Sequence, residues 1–137
     1  MNNQNPLKIH GVIIIILLII QYILGMFTNM FVKFPDNGTT GQLWEFSWKQ
    51  IPLALHILVG LSLLISAVAL VARAIRSKNN KWITVSIIGT LAIVVAGASG
   101  ATFIPTQKDL YSFVMAMAFI IAFISFSWGF FSSKTKI

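Results

Sequence analysis

The side chains in this sequence that are able to hold a ligand or a metal are few. His10 and His56 each sit in an apolar run, His56 within IPLALHILVGLSLLIS. An ionisable group in hydrocarbon costs free energy unless it is paired, so such a residue marks a candidate site. Imidazole and thioether are donors that haem iron accepts, and a macrocycle between helices needs small residues beside it. His56 is therefore a candidate axial ligand of a b-type haem, with Met115 or Met26 opposite and Gly60, Gly97 and Gly100 leaving room. A second reading uses the same layer as a Cu(I) site, because His56, Met26, Met30, Met115 and Met117 are soft or borderline ligands. A third has His56 simply hydrogen-bonded to Thr28, Ser99 or Ser112 in a packed core.

Other chemistries are poorly supplied. Cysteine is absent, which removes disulfides, thiolate metal sites and thiol catalysis, so redox chemistry requires a bound cofactor. The only acids, Asp36, Glu45 and Asp109, fall in or beside loops, so no helix carries the buried carboxylate of a proton-coupled exporter. Phosphate-binding glycine loops, paired carboxylates and nucleophile-base sets are missing too. The expectation is a protein that is not a hydrolase or transferase acting alone.

The elements that position these residues are membrane spans. Hydrophobic residues make up 57% of the 137-residue chain and charged residues 9%, against about a quarter in soluble domains. Four runs, approximately Ile9 to Met30, Ile51 to Ala74, Trp82 to Ile104 and Leu110 to Phe131, each reach the roughly 20 residues that cross a bilayer as a helix. Residues 1–137 thus read as one all-α, four-transmembrane-helix domain. The first run is too long for a signal-peptide core and lacks a cleavage site, so it is expected to be retained.

Charge sets the expected topology. Lys8, Arg73, Arg76, Lys78, Lys81, Lys134 and Lys136 collect at one end without an acidic neighbour, whereas Lys33, Lys49 and Lys108 are matched in number by Asp36, Glu45 and Asp109 at the other. The positive-inside rule then puts both termini and the middle loop in the cytoplasm of a bacterial plasma membrane. The net charge of +7 is accounted for by that topology and by attraction to anionic lipid, with no nucleic-acid partner. The outer loop, FVKFPDNGTTGQLWEFSWKQ, is expected to lie along the surface through Trp44, Phe46 and Trp48, with Trp82 and Trp128 forming an inner aromatic belt. Asn37-Gly38-Thr39 is a formal glycosylation sequon read here as chance.

Helical periodicity predicts the inward faces. His56, Gly60, Leu63, Ala67 and Ala74 share one side of the second span; Gly89, Ala92, Ala96 and Gly100 line the third, with Gly97 and Ala101 beside them. Met115, Ala118, Ala122, Ser125 and Gly129 share a face of the fourth, and His10, Leu17, Gln21, Gly25 and Thr28 one of the first. Small residues mark close helix approach in membranes. Counting along the helices puts His56, Met26, Gly100 and Met115 in one outer layer. His10 is expected at the opposite interface, on the order of 20 Å away and unable to share a ligand.

GMFTNMFVKFP, the tryptophan-bearing loop and LALHILVGLSLLISAVALV together resemble the first hairpin of one half of haem A synthase. The likeness extends more loosely to small b-type cytochromes and other small four-helix bacterial integral membrane proteins. It covers the first two spans and implies haem b beside a histidine near the outer end of the second. Ile57 stands where an arginine commonly follows such a ligand, and the fourth span, LYSFVMAMAFIIAF, has no histidine. The sequence reading is thus a haem-binding redox or haem-handling protein; the alternative is a non-catalytic subunit or small-molecule-binding partner of a membrane complex, with homo-oligomers or a larger assembly as partners besides the bilayer.

Overall fold

The computed structural model describes residues 4–132, with side chains from residue 6. Lys134 and Lys136, assigned to the basic end, lie outside the described residues. Five helices follow in order: α1 (Gln4–Phe31), α2 (Thr40–Lys49), α3 (Ile51–Arg76), α4 (Asn80–Thr106) and α5 (Asp109–Phe131). All but α2 are long and apolar enough to cross a membrane. The chain is a polytopic helical bundle.

Local chemistry explains where the helices stop. Pro52 sits in the first turn of α3, where no N–H is needed. Asn79 caps α4 through its side chain, which accepts from the Trp82 N–H at 3.2 Å. Pro105 lies in the last turn of α4, and Gln107 closes that helix in the left-handed conformation, φ 52°. The surface segment proves to be a helix. Thr39 and Gln42 form a capping box that starts α2, in which the Thr39 N–H donates to Gln42 Oε1 at 2.9 Å.

The spans neighbour one another in the cyclic order α1, α3, α4, α5, which leaves α3 diagonal to α5. One end holds the start of α1, the α3–α4 turn and the end of α5, and is called the basic end. The other, the loop end, holds α2, which packs on α3 and α4. Leu43 and Ser47 face inward from α2, and the rings of Phe34, Phe46 and Phe103 meet beneath it at centroid distances of 5.6 and 5.9 Å.

Packing is uneven along the bundle. The core cluster, including Leu7, Ile14, Leu63, Leu70, Trp82, Val85, Ala122 and Phe126, occupies the half towards the basic end. Here glycines admit large rings: Gly89 receives Phe126, while Gly11 and Gly129 both make room for Trp82. Trp82 is 0% exposed, so it is a keystone between α1, α4 and α5 and no part of an interfacial belt, unlike exposed Trp128. The pair of glycine notches outweighs the ring's preference for the interface. Ser125 Oγ–H ties α5 to α4 by donating to the Val85 carbonyl at 2.7 Å. Buried residues are sparser towards the loop end, where Leu53, Ser99, Ile104 and Ala118 are the main ones.

Candidate functional site

His56 lies in the looser half, in the seam between α1 and α3. Along α1, Gln21, Gly25 and Thr28 fall on one face because they are spaced by four and three residues. The Gln21 amide N–H donates to His56 Nε2 at 3.2 Å, which fixes a neutral imidazole with its proton on Nδ1. The ring rests over Gly25, where an added Cβ would be 3.2 Å from Cε1. Gly60, one turn further along α3, leaves space for Gln21, since a Cβ there would be 3.1 Å from the amide nitrogen. The partner of His56 is therefore Gln21, not Thr28, Ser99 or Ser112.

Three polar atoms of this seam are buried without a hydrogen-bond partner: His56 Nδ1, Gln21 Oε1 and Thr28 Oγ1. An unmet buried polar group costs about 1–3 kcal/mol, more than a packed interior normally tolerates. Their concentration on facing stretches of two helices makes this seam the strongest candidate site in the chain.

Met115 occupies the same depth on the diagonal helix. His56 precedes Lys78 by 22 residues and Gly100 follows it by 22, so the two stand level across the α3–α4 turn. Met115 Sδ is against Gly100, 3.3 Å from where a Cβ would be. Met26 is 43% exposed on the outer surface of α1, and Gly97 opens onto space with no atom within 4 Å. Of the residues expected to form the site, His56, Met115, Gly60 and Gly100 line the bundle, while Met26 and Gly97 face away from it.

A second polar clasp in the same seam was not expected. His10 is 8% exposed, buried instead of interfacial. Its Nε2–H donates to Ser66 Oγ at 3.0 Å, and its Nδ1 accepts from Arg73 Nη1 at 3.4 Å. The i, i+7 spacing of Ser66 and Arg73 on α3 was the available signal, since it places both on one helical face opposite His10.

Among the described residues no group of three or more His, Cys, Asp or Glu side chains comes together, so a multidentate ion site of those ligands is not formed. Haem asks for less, one or two axial donors and a small-residue cradle. An imidazole and a thioether stand at equal depth on diagonal helices, the His56 ring seated against Gly25 and Met115 Sδ against Gly100. The lone pair that would meet iron is on Nε2, facing the Gln21 amide, so that amide has to turn aside. No family model, curated protein or solved structure matches the chain.

Proposed function

We propose that this membrane bundle is a b-type haem-binding protein of the redox or haem-handling kind, with His56 as iron ligand and Met115 as the donor from the diagonal helix. The observation that carries the reading is that His56, an imidazole within a membrane span, stands level with Met115 on the diagonal helix, beside buried polar atoms of Gln21 and Thr28 that have no partner. Haem, when bound, would supply one-electron chemistry. The chain's own contribution is to hold a neutral imidazole, to keep water out under α2 and the Phe34, Phe46 and Phe103 rings, and to seat Gln21 and Met115 against Gly60 and Gly100. The positive-inside rule puts the site in the outer leaflet of a bacterial plasma membrane with both termini in the cytoplasm.

The test is the absorption spectrum of protein purified in mild detergent from haem-replete cells. A Soret band is expected, lost in His56→Ala and shifted in Met115→Leu. Gln21→Leu, which removes the amide competing for Nε2, is expected to keep the band. Colourless protein that stays folded after His56→Ala overturns the proposal and favours the non-catalytic subunit reading.

A further inference from the structure

We infer that the basic end of the α1/α3 seam is a headgroup site for an anionic phospholipid, with Arg73 as its fixed contact. This inference is independent of the haem reading, because it concerns the opposite end of the bundle. Lys8, Arg73, Arg76, Lys78 and Lys81 gather there, and the chain's three acids, Asp36, Glu45 and Asp109, all lie at the loop end. The side chains of Asp36, Glu45 and Asp109 are a bundle's length away from Arg73, Arg76, Lys78 and Lys81, so these four cations are open to an anion from outside the protein. For a bundle whose exposed span surface is largely apolar, the nearest supply of anions at that depth is the headgroup layer.

Two of the cations are held in place by the protein. Arg73 is exposed, yet its Nη1 donates to the buried His10 Nδ1, and His10 is fixed in turn by Ser66. A guanidinium has five N–H donors in a rigid fork, so one bond to imidazole leaves the others available for a phosphodiester. Lys8 Nζ sits 4.7 Å from the centroid of the Phe130 ring. Holding these side chains before a ligand arrives lowers the entropy lost on binding. Lys78, exposed at the α3–α4 turn, adds only general attraction.

The test titrates the full-length protein in a neutral detergent with short-chain phosphatidylglycerol, short-chain phosphatidylcholine and inorganic phosphate, read by tryptophan fluorescence and by thermal midpoint. Saturable binding of phosphatidylglycerol alone is expected. Arg73→Gln should weaken it about fivefold, the effect of one lost cation near an anionic surface. Lys33→Gln, at the loop end, should leave it unchanged. If Arg73→Gln does not fold, His10→Leu keeps the cation but frees its side chain and is expected to weaken binding in the same direction. Equal response to both lipids, or wild-type affinity in the folded Arg73 and His10 variants, overturns the inference; saturation by inorganic phosphate alone reassigns the site to a soluble anion and overturns it as well.

Discussion

At the scale of single residues, α4 makes the same substitution mean opposite things at two of its glycines. A Cβ at Gly89 would fall 2.5 Å from the ring of Phe126, which is itself fully buried and cannot swing away without opening the core. Overpacking of this kind costs about 1–3 kcal/mol. Gly97, two helical turns on, has nothing within 4 Å, so alanine there removes only the backbone freedom of glycine, a gain within about 1 kcal/mol. Gly89→Ala is therefore expected to lower stability and Gly97→Ala to leave it equal or slightly raised, as measured by unfolding in a graded denaturing detergent. A matching loss at both positions would mean that Gly97 is covered by another molecule in the assembly. The histidines show the same dependence on surroundings: His10 is bonded at both nitrogens, whereas His56 is bonded at one, and only the second keeps a ring nitrogen without a partner.

At the scale of elements, α2 is short enough that its ends decide whether it forms. Isolated helices of its length are marginal in water, so the Thr39 and Gln42 box and the burial of Leu43 and Ser47 have to compensate. Thr39→Ala is expected to cost about 1 kcal/mol and to speed amide exchange over residues 40–49 without changing the spans. Lys49 adds a smaller, pH-dependent part: its ammonium, 2.7 Å from Glu45 Oε1, holds that carboxyl below its usual value. A depressed carboxyl stabilises above its unfolded value and loses that contribution as pH falls through its folded one, so the protection of α2 amides relative to their intrinsic exchange rate should fall on acidification. The spans themselves were legible because apolar length fixes a transmembrane helix almost alone, and the small-residue faces ending in Ala74, Gly89, Ala122 and Gly129 do point inward. Less was legible where two elements compete for one side chain. The Thr39-x-x-Gln42 signature was present but overshadowed by the loop's glycines and aromatics. Burial of Trp82 depends on Gly11, far away in sequence, and the choice of Gln21 over three hydroxyl groups as partner to His56 depends on which helix lies beside α3.

At the scale of the whole molecule, the uneven core and the uneven charge run along the same axis. The half bearing the five described cations is locked by Trp82, whose indole N–H has no partner, Phe126 and the His10 clasp, while the half with balanced charge holds the unmet polar atoms of His56, Gln21 and Thr28. The two proposed sites divide along that axis, the lipid contact at the first end and haem at the second. That division of labour requires four complete crossings, with the α3–α4 and α4–α5 turns on opposite sides of the bilayer. Because the sequence has no cysteine, Lys78→Cys and Lys108→Cys each introduce the sole thiol, and neither site lies within a span. In intact cells a membrane-impermeant maleimide is expected to label Lys108→Cys at once and Lys78→Cys only after lysis, as the basic residues follow the positive-inside bias. Labelling in the reverse order would invert the bundle and bring the His56 seam to the cytoplasmic leaflet. If both thiols react from the same side, the α4 crossing between them is lost, and with it the square of helices that sets His56 and Met115 on a diagonal.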